Sequence, residues 1–268
     1  MHRKTFEEYL REQNLSDNTC RSYLQTIDFY KKNFHHFDKK NLLSYKEFLC
    51  QNYKSGTVNL RIIAINRYLS FIGKKNSSLK SVKVQQRSFL ENVITQNDYE
   101  ILKTELKKNG QEKWYFVVRF LGSTGVRISE LLLLRAEDVL CGHADICSKG
   151  KKTRRIYIPA ELRNEALAWL ESRDYMHGRL FLNRFGNPIS ARGVSFQLKK
   201  FAELYGIDRY RVHPHSFRHL FAKNFLEKSN DIAFLADFLG HESIETTRIY
   251  LRKSSDEQKN FVDSVVTW

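Results

Sequence analysis

The stretch Pro214-His215-Ser216-Phe217-Arg218 is the most informative part of this 268-residue chain. His215 and Arg218 are three residues apart, so in a helix they lie one turn apart and can face the same anion. Pro214 suits the first turn of a helix, where backbone N–H groups already favour negative charge. Tyr250 follows 32 residues after Arg218 and offers an oxygen nucleophile. Together these residues predict chemistry at a phosphate group.

Three further segments enlarge this set. Thr124-Gly-Val-Arg127 places an arginine on a turn before an apolar helix, with Glu130 close behind, and Ser148-Lys149-Gly150 places a lysine at the tip of a predicted hairpin. Leu239-Gly-His241 lies nine residues before Tyr250. Transesterification of a phosphodiester needs a nucleophile, neutralisation of the non-bridging oxygens and a proton for the leaving oxygen. The predicted catalytic residues are Arg127, Lys149, His215, Arg218, His241 and Tyr250.

In this order and spacing the set resembles the tyrosine recombinases, the integrase family of site-specific DNA recombinases. The motifs cover roughly residues 92–268, whereas residues 1–86 resemble the family only in general character. The resemblance implies a compact two-domain enzyme in which Arg127 and Arg218 hold the scissile phosphate and Tyr250 attacks it. It also makes Lys149 the general acid, His215 and His241 phosphate ligands or proton carriers, and Glu130 a support for Arg127.

The implied fold is mainly α-helical with a small β-hairpin. We predict an N-terminal helical core-binding domain of the SAM-like type at 1–86, a linker at 87–91 and a mixed α/β catalytic domain at 92–268. Ser16 is a suitable cap for one helix and Thr95 for another. Alternating residues around Ala144–Cys147 and Arg155–Ile158 predict the hairpin.

Charge supports a nucleic-acid partner. The chain carries a net charge of +15, and residues 1–88 hold 17 basic and 7 acidic side chains, so most of the excess lies in the first third. One predicted helix has Val58, Ile62, Ile65 and Leu69 on its apolar face, and its opposite, polar face is predicted to contact double-stranded DNA. The alternative is an ordinary surface helix. The predicted DNA-binding residues are Asn59, Arg61, Asn66, Arg67, Lys74, Lys75, Lys151 and Lys152.

Each candidate also has a structural interpretation. Arg127 is compatible with a surface helix start, Lys149 with a surface turn, and Tyr250 with the edge of a core, where Ile244, Thr247 and Leu251 form the apolar stripe of its helix. The stripe of Phe217, Leu220, Phe221 and Phe225 is expected to leave His215 and Arg218 off the core. A metal cluster of His213, His215, His219 and His241 is the competing hypothesis, but no H-E-x-x-H motif occurs, so we predict no metal and no cofactor.

The cysteines and the length of the apolar segments indicate where in the cell the protein is located. The four cysteines, Cys20, Cys50, Cys141 and Cys147, have no C-x-x-C spacing and are expected to be small buried residues in a reducing compartment. No apolar run is long enough for a membrane span, and the N-terminus lacks the apolar stretch of a signal peptide. We therefore expect a cytoplasmic protein.

The sequence thus predicts a DNA strand transferase that forms a 3′-phosphotyrosyl intermediate and serves integration, excision or inversion of a mobile or phase-variable element. The resemblance implies a tetramer on paired DNA sites. The apolar residues of the tail Ser254–Trp268 are expected either to dock on a neighbouring protomer or to fold back on their own core. The alternatives are a type IB topoisomerase-like enzyme and a non-catalytic DNA-binding regulator on the same fold.

Overall fold

Helices dominate the computed structural model, which describes residues 5–84, 92–147, 153–241, 243–251 and 255–266. The chain divides into two units, Met1–Gln86 and Arg87–Trp268. The predicted linker 87–91 lies outside the described residues. In the part of the chain that is described, no helix is both long and apolar enough to cross a membrane.

The first unit is an all-helical bundle in its described part. Its helices are α1 (Phe6–Glu12), α2 (Asp17–Phe34), α3 (Lys39–Asn52) and α4 (Ser55–Phe71), followed by a 3₁₀ turn at Lys75–Ser77. Ser16 caps α2 as predicted, because its side chain accepts a hydrogen bond from the backbone N–H of Thr19. Val58, Ile62, Ile65 and Leu69 of α4 are buried, which confirms the predicted apolar face of this helix.

The segment after α4 packs on the first unit, ahead of the predicted linker at 87–91. Leu79 is 8% exposed and belongs to the core of the first unit. The amide of Asn66 donates to the carbonyl of Leu79 and accepts from its N–H, each at 2.8 Å. Asn59 holds Val82 in the same way, at 3.0 and 2.8 Å. We call residues 79–82 the strap.

The strap changes the interpretation of the polar face of α4. Asn59 and Asn66 are seven residues apart, about two helical turns, so one face of α4 presents both amides to the strap. Arg61 lies with its guanidinium 4.1 Å from the ring centre of Tyr53 and 5.5 Å from that of Phe29. The expectation that Asn59, Arg61 and Asn66 point outward is therefore wrong, since their polar groups contact their own unit.

The second unit is helical with one small sheet. Its elements in the described residues are α5 (Gln96–Lys108), α6 (Glu112–Thr124), α7 (Ile128–Leu131), α8 (Ala136–Cys141), β1 (His143–Cys147), β2 (Thr153–Tyr157), α9 (Ala160–Glu171), α10 (Ala191–Leu204), α11 (Pro214–Ser229), α12 (Ile232–Leu239), α13 (Ile244–Arg248) and α14 (Ser255–Val265). Strands β1 and β2 pair antiparallel, with His143 opposite Tyr157. This confirms the hairpin, whose tip with Lys149, Lys151 and Lys152 lies outside the described residues.

Local capping explains where the helices of the second unit begin. Thr95 and Asp98 form a reciprocal capping box at α5, as the sequence predicted. His213 caps α11, with its Nδ1 accepting from the N–H of Ser216, and Pro214 occupies the first turn. Helix α12 ends at Gly240 in the left-handed conformation (φ 63°), which places His241 just beyond it.

Cysteine burial was predicted only in part. Cys20 is buried, but Cys50 and Cys141 are exposed, and all three are free thiols. The expectation of uniformly buried cysteines is therefore wrong for these two residues, which lie at exposed positions of α3 and α8. The side chain of Cys147 lies outside the described residues.

Candidate active site

Arg127 begins the site at the turn between α6 and α7. Helix α6 ends at Gly125 in the left-handed conformation (φ 59°), and Arg127 is the N-cap of α7. The Glu130 carboxylate accepts from the Arg127 backbone N–H at 2.8 Å and from its Nη1 at 3.0 Å. The expected ion pair between Glu130 and Arg127 is thus present, and it fixes both the backbone and the guanidinium of Arg127.

Arg154 on β2 is a second partner of Glu130 that the sequence analysis missed. Its Nε and Nη2 donate to the two carboxylate oxygens at 3.2 and 2.6 Å. Burial alone would raise the pKa of Glu130, but the hydrogen bonds and charge of Arg154, together with those of Arg127, lower it below its ordinary value. Glu130 is therefore an anion shared by two arginines.

Arg218 is buried, with 1% of its surface exposed, although it was expected to lie off the core. Its Nη1 donates to the carbonyl of Gly125 at 2.7 Å, and its Nη2 donates to the carbonyl of Leu239 at 2.7 Å. These bonds compensate for the loss of water around the guanidinium. Burial and the nearby charge of Arg127 lower the pKa of Arg218 to about 10, so it remains a cation at neutral pH.

Three arginines from different elements meet at the C-terminal end of α12. Arg154 donates to the carbonyl of Phe238, Arg218 to that of Leu239 and Arg127 to that of Gly240. The last carbonyls of a helix have no partner within the helix and carry the negative end of its dipole. The end of α12 thus acts as a common anchor that brings the three guanidinium groups together.

His241 connects this anchor to the segment that carries Tyr250. Its Nε2 lies 2.8 Å from Nη2 of Arg218 and its Nδ1 lies 2.7 Å from Oγ1 of Thr247. Arginine has only N–H donors, so Nε2 must accept and the proton of the neutral ring must be on Nδ1. Burial and the charges of Arg218 and Arg127 lower the pKa of His241 to about 4, which agrees with a neutral ring.

Tyr250 lies on a 3₁₀ turn, Ile249–Leu251, directly after α13. It is 4% exposed and packs in a small core with Ala222, Leu226, Leu235 and Leu239. Tyr250 is thus buried, whereas Ile244 of the predicted apolar stripe is 48% exposed.

The phenol of Tyr250 faces the same cluster of side chains. Burial and the charge of Arg127 lower the pKa of Arg218, and a hydrogen bond with Tyr250 opposes them in part. The ring centre of Tyr250 lies 4.8 Å from that of His219 and 5.9 Å from that of His241. The nucleophile candidate is therefore already close to the buried arginine.

His215 occupies the first turn of α11, next to His219 at 4.7 Å between ring centres. Desolvation and then the charge of Arg218 lower the pKa of His215. Burial lowers that of His219 to about 3. Both rings are therefore neutral at pH 7. No group of three or more His, Cys, Asp or Glu side chains is arranged to hold a metal among the residues that the structure describes.

The structure thus brings together five of the six predicted catalytic residues. Arg127, His215, Arg218, His241 and Tyr250 converge from α7, α11, the turn after α12 and the 3₁₀ turn. The sixth, Lys149, lies outside the described residues. Arg154 was missed because nothing in Thr153-Arg-Arg-Ile distinguishes it from Arg155; only alternation along the strand separates an inward arginine from an outward one.

Comparison with known proteins shows the family of the chain. Residues 92–257 match the family model described as the phage integrase family. The chain is 30% identical over 270 residues to tyrosine recombinase XerA of Thermococcus kodakarensis, covering 95% of this chain and 94% of the relative. It is 28% identical over 218 residues to tyrosine recombinase XerC of Haemophilus ducreyi, covering 75% and 71%.

Solved structures show the same fold. XerH site-specific recombinase in a post-cleavage complex with palindromic difH substrate superimposes with a TM-score of 0.71 at 20% identity, covering 95% of this chain and 81% of that one. The Tn1549 transposon integrase with circular intermediate DNA gives 0.73 at 17% identity, covering 95% and 96%. From the motifs, the site geometry and these relatives, the chain belongs to the phage integrase family and is a tyrosine recombinase, an enzyme that exchanges DNA strands at specific sites.

Proposed function

We propose that Tyr250 is the nucleophile of this recombinase and that Arg127 and Arg218 hold the scissile phosphate. The observation that carries the proposal is the position of the Tyr250 ring, 4.8 Å from the His219 ring and 5.9 Å from the His241 ring, where His241 in turn binds the buried Arg218. Guanidinium forks match the oxygens of a phosphate in pairs, and Arg127 extends the cationic surface from the neighbouring turn.

The reaction follows from these roles. The Tyr250 oxygen loses its proton and bonds to phosphorus, the bond from phosphorus to the 5′ oxygen breaks, and that oxygen takes a proton to become a 5′-hydroxyl. The product is a 3′-phosphotyrosyl ester. The 5′-hydroxyl of a partner strand then attacks the ester, returns the tyrosine and reseals DNA, so the bond energy is retained throughout.

The proton carriers are His215 and Lys149. His215 is neutral at pH 7 because its pKa is lowered, so it can accept the phenol proton and donate a hydrogen bond to phosphate. Lys149 is assigned the donation to the leaving 5′ oxygen. His241 holds Arg218 on one side and Thr247 on the other, and so fixes the distance from the phosphate clamp to the Tyr250 turn.

A covalent trapping experiment tests these roles. A nicked suicide duplex from the DNA flanking the gene is incubated with wild type, Tyr250→Phe and Tyr210→Phe in EDTA; Tyr210 is an exposed control at 67%. Wild type and the control are expected to give an adduct that survives denaturation, and Tyr250→Phe none. An adduct with Tyr250→Phe would overturn the assignment, and DNA binding without any adduct would favour a regulator.

The first unit supports a clamp around double-stranded DNA. Lys74 and Lys75 are exposed and Arg67 is half-buried, so these three of the predicted residues can reach phosphates; the ammonium of Lys74 also donates to the carbonyl of Phe37 at 3.2 Å. Lys-to-Gln changes at 74 and 75 are expected to weaken binding to all sequences alike and to reduce its salt dependence. Unchanged salt dependence would remove them from the interface.

A tetramer on paired DNA sites is the proposed working assembly, in the cytoplasm. Helix α14 exposes Val262 and Val265, and Val266 follows, each close to half exposed. Exposed apolar side chains on a terminal helix suit docking on another protomer. A chain ending at Ser254 is expected to bind one site but to lose the assembly of two sites in gel-shift and light-scattering measurements. Normal assembly would contradict the docking role.

A further inference from the structure

We infer that Arg154 is a positioning residue of the phosphate clamp formed by Arg127 and Arg218. It acts through Glu130 and the end of α12, and it leaves the positive charge of Arg127 available to bind phosphate. The inference rests on the proposed roles of Arg127 and Arg218. Arg154 itself lies on β2 and was not part of the predicted catalytic set.

Arg154 divides its hydrogen-bond donors between two partners. Its Nε and Nη2 engage both oxygens of Glu130, and its Nη1 donates to the carbonyl of Phe238. Only a planar guanidinium can bind a carboxylate side-on and a carbonyl at its other end; a lysine ammonium cannot reproduce this geometry. Arg154 therefore ties α7 to the end of α12 through one rigid group.

Arg154 also determines the net charge around Glu130. The Arg154 and Glu130 side chains are 9% and 7% exposed, whereas Arg127 is 38% exposed. With Arg127 alone, Glu130 would neutralise the guanidinium meant for phosphate. Because Arg154 supplies a second buried cation, the three side chains of Arg127, Glu130 and Arg154 together carry a net positive charge. Arg127 is the most exposed of the three, so this charge is presented on the solvent-facing side.

Arg154 also packs closely against Gly240. A Cβ on Gly240 would lie 2.6 Å from Cδ of Arg154, so the stem of Arg154 lies directly against this backbone. The carbonyl of Gly240 accepts from Arg127, and the next residue is His241. The side chain of Arg154 thus contacts the residue whose carbonyl binds Arg127 and which directly precedes His241.

Arg155 offers a matched control. It is the next residue of β2 and binds Asp145 side-on at 2.8 and 2.7 Å, but this pair is exposed, at 48% and 45%. Arg154→Lys and Arg155→Lys thus make the same chemical change on adjacent residues, one facing the site and one facing solvent. DNA affinity, thermal midpoint and the single-turnover rate of adduct formation at saturating suicide duplex are measured for both.

The expected result is a rate about 10- to 100-fold lower for Arg154→Lys, with DNA affinity within about threefold of wild type, because a small displacement of a clamp costs about this much. Arg155→Lys is expected to match wild type. A wild-type rate in Arg154→Lys would overturn the inference alone, whereas no adduct in wild type would instead overturn the proposed function.

A compensation test separates positioning from general stability. If Arg154 acts by sharing the negative charge of Glu130, then in Arg154→Met that charge acts on Arg127 alone and neutralises it. Adding Glu130→Gln removes the negative charge, so Arg127 again presents its positive charge. The double variant is expected to react several times faster than Arg154→Met, even though it has lost one more native group. It also leaves no unpaired buried charge, so it can be measured if Arg154→Met does not fold. A double variant no faster than Arg154→Met would contradict the inference; where Arg154→Met is unfolded, the comparison of Arg154→Lys with Arg155→Lys decides it.

Discussion

Helix α4 of the first unit and the arginine cluster of the second unit both carry polar side chains that the sequence analysis assigned to DNA, yet they use them differently. On α4, Asn59 and Asn66 bind the strap of their own unit. In the second unit, Arg127 and Arg218 come from residues 91 positions apart and meet at one helix end. An ordered set of reactive residues therefore predicted function better than the polar face of one helix.

The largest effect on the reaction rate is expected from a substitution at Arg218, in the arginine cluster of the second unit. Arg218→Lys keeps the charge but loses the bonds to Gly125, Leu239 and His241, so adduct formation should fall about 1,000-fold. The single-turnover assay measures it, with Arg209→Lys, an exposed arginine paired with Glu203, as the control. A loss below about tenfold would mean that Arg218 is only a structural cation.

A pair of glycine substitutions compares the two units directly. Gly125→Ala forces a side chain into the left-handed region and places its Cβ 2.5 Å from Phe221, so the second unit should lose about 2–4 kcal/mol. Gly56→Ala on α4 meets no atom within 4 Å and should gain about 0.5–1 kcal/mol from helix propensity. Urea unfolding measures both; effects of the same sign would contradict this assignment of the two positions.

The strap supplies a test of intermediate size. Asn59→Ala or Asn66→Ala leaves strap backbone groups without their partner and should destabilise the first unit by about 1–2 kcal/mol. Asn52→Ala is the control, because that exposed amide bonds only to Phe48 of its own helix. Weaker DNA binding by Asn59→Ala at full stability would restore the original interpretation of α4.

The smallest expected effect is the pH dependence of stability. His219 has a pKa of about 3 in the fold, so between about pH 6.5 and 3 the unfolded chain binds more protons. Stability from this residue is complete above pH 6.5 and decreases as the pH falls, by about 1 kcal/mol at pH 5.5. Unfolding free energies at pH 7.5 and 5.5 should therefore differ less in His219→Gln than in wild type.

The exposed His177 provides the control for this measurement. Its side chain is 86% exposed, so His177→Gln should leave the pH dependence unchanged. An equal change in both variants would show that His219 is not the group responsible.

Much of the site was predictable because its chemistry depends on residue type and order. The capping of α2, α5 and α11, the hairpin and the end of α12 at Gly240 also follow from local rules. Arg154 was not predictable, since its partner Glu130 is 24 residues away and its adjacent twin Arg155 looks identical in sequence. Burial of Arg218 and Tyr250 was missed because it depends on carbonyls and apolar groups supplied by α12.

The most direct test of the account is to locate the covalent bond. The trapped wild-type adduct is digested with nuclease and trypsin, and the peptides are analysed by mass spectrometry. Cleavage after Arg248 and Arg252 leaves residues 249–252, whose one hydroxyl-bearing side chain is that of Tyr250. We predict a nucleotide attached through its 3′-phosphate to this peptide; a nucleotide on any other peptide, or attached through a 5′-phosphate, would contradict the account.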